Sequence, residues 1–456
     1  MRHQTYPRYK PSGAEWLGEV PEHWDVKALK WESPVLRGAS PRPIDNEIYF
    51  DDEGEYAWVR IADVSAAGMY LRETTQRLSE LGQSLSVPLE PGALFLSIAG
   101  TVGKPCITAI KCCIHDGFVY FPYWRDDSRF LYFLFASGEP YKGLGKLGTQ
   151  LNLNTDTVGS IVAGFPPSAE QQAIADFLVR EMAKLDALVA KKRALIERLK
   201  EKRTALISRT VTRGLPPDAA RAAGLDPHPK LKPSGIDWLG DVPEHWTVKA
   251  LKWESPVLRG ASPRPIDNEI YFDEEGEYAW VRIADVSAAG MYLHETTQRL
   301  SDLGRSLSVP LQPGVLFLSI AGSVGKPCIT AIKCCIHDGF VYFPFWRGEA
   351  RFLYYLFASG EPYKGLGKLG TQLNLNTDTV GSIVAGIPAI VEQHAIGDFL
   401  DHETARIDGM IAKVETAIAR LQEYRTALIT AAVTGKIDVR NPDVREGASH
   451  APASLS

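Results

Sequence analysis

The segment Lys10–Trp24 reads KPSGAEWLGEVPEHW, and Lys232–Trp246 reads KPSGIDWLGDVPEHW. Trp16 and Trp238 stand 222 positions apart, and the likeness continues past the quoted stretch. Residues 26–164 align with 248–386 at that offset without a gap. There are twelve differences, mostly mild: Asp52 against Glu274, Glu80 against Asp302, Thr101 against Ser323, Tyr123 against Phe345, Phe133 against Tyr355. Two copies at so long a period exclude a solenoid and indicate tandem duplication of a domain with whatever follows it. Pro, Gly and Trp suit a compact, turn-rich leading segment. Trp16 and Trp24, like Trp238 and Trp246, anchor the chain as it enters each copy.

With 456 residues the chain has room for two or three domains, each with its own core. The 45% hydrophobic and 23% charged content is that of a soluble globular protein. No apolar run approaches the roughly 18 residues of a membrane span, and MRHQTYPRYK lacks the apolar centre of a signal peptide, so the expected location is cytoplasmic. A net charge of -5 argues against a protein that coats nucleic acid, but not against a site-specific reader, which depends on where its Lys and Arg sit. The cysteines form two matching sets, Cys106, Cys112, Cys113 and Cys328, Cys334, Cys335, which read as reduced, buried strand residues.

Within each copy EYAWVRIADV, GALFLSIAG and CCIHDGFVYFPYW read as strands, and RFLYFLFASGEPY as a short buried helix stopped by Gly138. The pattern then changes. From Glu170 to Thr212 there is no Pro or Gly, and Leu178, Leu185, Leu199 and Leu206 keep a seven-residue step that Lys192 interrupts. In the second copy Leu400, Ile407, Val414, Leu421 and Leu428 keep it without interruption. Such steps predict coiled-coil packing, and a helix of about 60 Å is too long to lie on one small domain. Residues 165–213 carry eleven Lys and Arg against six Asp and Glu, and 387–436 five against seven, a weak complementarity. The fold class is therefore α+β: two tandem α/β globules joined by two long helices in an antiparallel coiled coil, pseudo-two-fold symmetric. The expected organisation is a leading segment 1–25, a globule 26–168, a helix 169–213, a connector and repeated leading segment 214–247, a globule 248–390, a helix 391–435 and a tail 436–456.

Enzyme signatures are missing. GTVGKP and GSVGKP are too short for a phosphate loop and put Pro where Ser or Thr is needed; G-x-S-x-G, H-E-x-x-H and the (Asn/Asp)-Pro-Pro-Tyr tetrapeptide do not occur. The one soft-ligand cluster is Cys106, Cys112, Cys113, His115 and Asp116, repeated as Cys328, Cys334, Cys335, His337 and Asp338. Adjacent strand residues point to opposite faces, which works against a shared metal, so no metal is expected. A metal-dependent nuclease or hydrolase built on this cluster, or a scaffold that never binds DNA, are the alternatives.

The opening YPRYKPSGAEWLGEVPEHWDVKALK, the strand PGALFLSIAGTVGK and the run GTQLNLNTDTVGSIVAGFPPSAEQQAIADFL together resemble the specificity (S) subunit of Type I restriction-modification systems, the HsdS family. The likeness covers both halves. The second departs in Pro388-Ala389 for the Pro-Pro pair and His394 for Gln172. What the resemblance implies is a non-catalytic DNA reader in phage defence. Each target recognition domain reads half of a split site, and the helices space the domains and dock modification (M) subunits, two in number. Those subunits carry S-adenosylmethionine and methylate adenine. Restriction (R) subunits add ATP- and magnesium-dependent cleavage, so this chain binds no cofactor itself. Leu178, Leu185, Leu199, Leu206, Leu400, Ile407, Val414, Leu421 and Leu428 are then the candidate docking positions.

Base readout uses Arg or Lys on guanine and Asn or Gln on adenine, from loops. Candidates present in both copies are Arg37, Arg42, Lys104, Lys142, Lys146, Gln150 and Asn152, with Arg259, Arg264, Lys326, Lys364, Lys368, Gln372 and Asn374. Gln150 and Asn152 read equally well as turn-closing residues. Arg72 becomes His294 and Gln83 becomes Arg305, which places both off the base edges. Nearly identical domains on antiparallel helices predict equal half-sites on opposite strands, an interrupted palindrome.

Overall fold

The structure, a computed structural model, describes residues 4–142, 144, 153–364, 366 and 375–440. The chain divides into two compact units: the described parts of Met1–Lys192 with Thr416–Ser456, and Arg193–Glu415. Neither unit coincides with one sequence repeat, because each takes in part of both long helices, Ser168–Arg213 and Ile390–Val433.

In the first unit a five-stranded sheet runs in the order Leu36–Arg37, Phe118–Tyr120, Leu94–Ser97, Pro105–Thr108, Tyr70–Leu71. A four-stranded sheet runs Gln76–Leu78, Tyr56–Val59, Cys112–Ile114, Val87–Leu89. Both are mixed: Cys112 lies parallel to Ala57 and Ile107 to Tyr70, while the other pairings are antiparallel. The apolar contacts joining the sheets include Val59, Phe95, Cys106, Cys112 and Phe118, all buried. The second unit repeats this arrangement strand for strand.

Two sequence readings change. The expected strand EYAWVRIADV ends at Val59, and Ile61–Ala67 is a helix. Its start is fixed by Asp63, whose carboxylate accepts the Arg60 backbone N–H at 2.8 Å, a capping contact that apolar periodicity does not register. The expected single strand CCIHDGFVYFPYW is two, Cys112–Ile114 and Phe118–Tyr120, in different sheets. The His115-Asp116-Gly117 turn moves the chain from one sheet to the other. The long helix expected over 169–213 runs Ser168–Arg213, about 69 Å at 1.5 Å per residue. The short buried helix is Ser128–Ala136.

The leading segment is a hairpin, Tyr9–Pro11 against Glu19–Pro21, that delivers a fully buried Trp24 to the core. A Cβ on Gly164 would stand 2.9 Å from the Trp24 ring, so the indole seats where only glycine leaves room. Glu170, buried in the first turn of the long helix, accepts from Tyr6 Oη at 2.7 Å and Trp24 Nε1 at 3.0 Å, both on Oε1. His23 Nε2 lies 2.8 Å from Oε2. In the second unit Glu392 holds Trp246 Nε1 at 3.1 Å and His245 at 2.8 Å, but His228 stands where the first copy has Tyr6.

The two helices run antiparallel within each unit. In the first, Arg440, just past the second helix, approaches Glu170 near the start of the first, while Arg425 pairs with Asp186. Leu178, Met182 and Leu185 join Leu428, Ala432 and Val433 in one core with Trp24 and Phe130. In the second, Arg203 pairs with Asp408 at 3.0 Å, and Ile207 and Val211 share a core with Ile396 and Leu400. No helix among the described residues is long and apolar enough to cross a membrane.

Candidate nucleic-acid interface

Pairing of Arg37 with Val119 lays the loop after it against the His115–Gly117 turn. The approach is close: a Cβ on Gly38 would stand 2.2 Å from the His115 carbonyl oxygen, so glycine is required there. Asn46 caps the short helix Glu47–Tyr49, and the Tyr49 hydroxyl donates back to the Arg42 carbonyl at 3.0 Å. Around Asp116 the loop then converges. Ser40 Oγ donates to Oδ1 at 2.9 Å, Arg42 Nη2 to Oδ2 at 2.7 Å, and Arg37 Nε to the Asp116 backbone carbonyl at 2.5 Å. Burial pushes the Asp116 carboxyl up, but the Ser40 hydroxyl and the Arg42, His115 and Arg37 charges outweigh it and hold the group below its ordinary value. The second unit reproduces the cluster: Ser262 at 2.8 Å and Arg264 at 2.7 Å on Asp338, with Arg259 on its carbonyl.

Burial depresses the basicity of His115 and His337. His115 Nδ1 accepts the Gly117 N–H at 2.8 Å, so the neutral ring carries its proton on Nε2. In the second unit a cavity of about 290 Å³ opens here, lined by Ser262, Arg264, Ile266, Trp280, Arg282, His337 and Asp338. The lining thus brings arginine donors, an imidazole and a mostly buried indole beside one locked carboxylate. Sequence reasoning missed Asp116 and Asp338 as arginine partners. They lie 74 residues from Arg42 and Arg264, and the sequence reading sets them in the Cys/His/Asp cluster instead.

The other candidates scatter. Lys104 Nζ donates to the Ser65 carbonyl at 2.9 Å, and Lys326 to Ser287 at 2.8 Å, tying turns to helices. Lys142 pairs with Glu139 at 2.7 Å and Lys364 with Glu361 at 2.6 Å. Lys146, Gln150, Asn152, Lys368, Gln372 and Asn374 lie outside the described residues. Arg305, which replaces Gln83, lies over the Tyr278 ring at 4.6 Å.

The cysteines do not converge. Cys106 and Cys112 face the core between the sheets, whereas Cys113 turns to Trp58 and Leu78. Burial pushes these thiols up to about 12, 11 and 12, which keeps them protonated at neutral pH. Among the described residues no group of three or more His, Cys, Asp or Glu stands close enough to hold a metal.

The helical heptad positions turn inward. Leu178, Leu185, Leu400, Ile407 and Leu428 are buried in the chain's own cores, and Leu199, Leu206, Val414 and Leu421 are half-buried. Leu188 and Tyr424 in the first unit and Leu195 in the second stay exposed. Along the second-unit part of the first helix an open groove of about 920 Å³ is lined by Lys200, Thr204, Arg209, Trp238 and Glu361, among others.

Residues 21–198 match the family model described as Type I restriction modification DNA specificity domain. Two solved structures share the fold. A chain from a structure on complex assembly and conformational transition of the type I R-M system is 17% identical with a TM-score of 0.63, the match covering 91% of this chain and 98% of that one. The HsdS subunit from Thermoanaerobacter tengcongensis is 18% identical with a TM-score of 0.52, covering 92% and 98%.

Proposed function

We propose that the chain, whose residues 21–198 match the model of the type I restriction modification DNA specificity domain and whose residues 248–386 repeat most of that stretch almost unchanged, reads a two-part DNA site as the specificity subunit of a restriction-modification complex. The matched family is one of DNA specificity, not of catalysis, and this chain is not the enzyme of the system. Methylation and cleavage belong to partner subunits, which bring S-adenosylmethionine, ATP and magnesium.

One observation carries the finer reading: the clusters Ser40–Arg42–Asp116 and Ser262–Arg264–Asp338 agree within 0.1 Å in their two side-chain contacts. Equal reading heads select equal half-sites. The site is an interrupted palindrome: a short half-site, a spacer of fixed length and undefined sequence, then the inverted complement of the first half. Two modification subunits dock, one for each unit. Because the inner heptad row is taken up by the chain's own cores, they meet the outer helical faces. The exposed Leu188, Leu195 and Tyr424 and the groove beside Trp238 support this. Single-molecule sequencing of DNA from cells expressing the chain with its modification partner tests the proposal. The expected result is one methylated motif equal to its own reverse complement. Two unlike half-sites overturn it.

A further inference from the structure

The loop carrying Arg42 is held from several sides, and what remains free is one edge of a guanidinium. Tyr49 fixes its backbone, Asp116 fixes its Nη2 at 2.7 Å, and Ser40 fixes Asp116 in turn. Arg37, whose Nε is engaged on the Asp116 carbonyl, is a strut of the same turn. The Arg42 side chain is nevertheless 72% exposed, and that of Arg264 71%. Exposed arginines ordinarily lose rotamer freedom on binding; here the fold has already imposed the geometry.

Two physical points decide what this edge suits. A guanidinium has five N–H donors, and Asp116 engages one, leaving enough for a two-pronged contact. The carboxylate also offsets the positive charge and repels a phosphate, which weakens Arg42 as a backbone contact while leaving its donors intact. Directed donors with reduced charge match the O6 and N7 acceptors on the major-groove edge of guanine. The concave face bordered by Arg264, Trp280 and His337 leaves that edge open to approach.

We propose that Arg42 and Arg264 each read one guanine, one in each half of the DNA site, with Asp116 and Asp338 as the positioning residues that hold the donor edge. The assignment rests on the DNA-reading function above.

The test uses the full chain co-expressed with its modification partner, and single-molecule sequencing of the host DNA. Altering one unit leaves the other as an internal control of folding, assembly and methylation. R264K keeps the charge and removes the two-pronged contact. It should lose guanine preference at one position of one half-site by roughly 5- to 150-fold, with the other half unchanged. D338N should relax the same position to a smaller degree. A motif unchanged in R264K, at full or reduced occupancy, marks a phosphate or structural role and overturns the assignment. So does relaxation by D338N at a different position, or a wild-type motif with no guanine in its half-sites. A wild-type chain that yields no methylated motif overturns the DNA-reading function itself, and is told apart by that absence.

Discussion

Removing the Glu170 carboxylate should loosen the first leading segment about twice as much as removing Glu392 loosens the second. In the first unit Oε1 of the buried Glu170 accepts from two donors, Tyr6 Oη at 2.7 Å and Trp24 Nε1 at 3.0 Å. Tyr6 and Trp24 are themselves buried, so E170A leaves two donors without water or partner. At about 1–3 kcal/mol for each buried donor left unpaired, the loss is about 2–6 kcal/mol. Glu392 serves one buried donor, Trp246 Nε1, and E392A should cost about 1–3 kcal/mol. The half-exposed His23 and His245 turn to water in either variant and add little. Hydrogen exchange read by mass spectrometry on the full chain separates the segments. Protection around residues 9–24 should fall roughly 30- to 10⁴-fold in E170A, and around 231–246 roughly 5- to 150-fold in E392A. E170Q should cost less than E170A, because one amide oxygen can still take both donors. Equal losses in the two Ala variants, or a Gln variant as damaging as Ala, would refute the reasoning.

In the second unit, L400A should cost about 2–5 kcal/mol by denaturant titration, whereas breaking the exposed Arg203–Asp408 pair with R203Q should cost under about 1 kcal/mol. G38A should displace the loop from the His115 carbonyl, where the new Cβ would sit at 2.2 Å, and abolish methylation of the two-part site; G260A, at 2.2 Å from the His337 carbonyl, should do the same. His115 and His337 are held neutral by burial, with basicity below the ordinary value of 6.5. Below about pH 6.5 the unfolded chain takes up protons that the folded chain refuses, so stability should fall with acidification until the folded imidazoles also titrate. Thermal denaturation between pH 7.5 and 5 should show this slope, and the double variant H115Q/H337Q should flatten it.

Much of the architecture was readable because duplication and helical periodicity are local patterns. The doubling of the sheet-bearing fold and the two long helices followed from them. What did not follow depended on distance in sequence. The pairing of the two helices was read from their apolar steps, and Leu178 and Leu185 do share a core with Leu428 and Val433; that Trp24 and Phe130 belong to the same core was not read from them. The cap at Arg60 and Asp63 cut a strand short because one carboxylate outweighed an apolar run. Of the site, Arg37 and Arg42 were singled out from their Gly/Pro loop, but Asp116, which gives one a locked edge and the other a supporting role, was first weighed as a metal ligand. Charge complementarity across 74 residues is invisible until the turn His115–Gly117 comes up against Gly38.

That each unit is completed by part of the other repeat's helix sets an order on synthesis. A ribosome delivers the first globule early, yet its core stays open along Leu178, Met182 and Leu185 until residues 416–440 emerge. The second unit needs nothing beyond Glu415. The half made second is therefore the first able to close, and the half made first waits with part of its core exposed while the second is synthesised, the period in which a nascent chain depends most on chaperones.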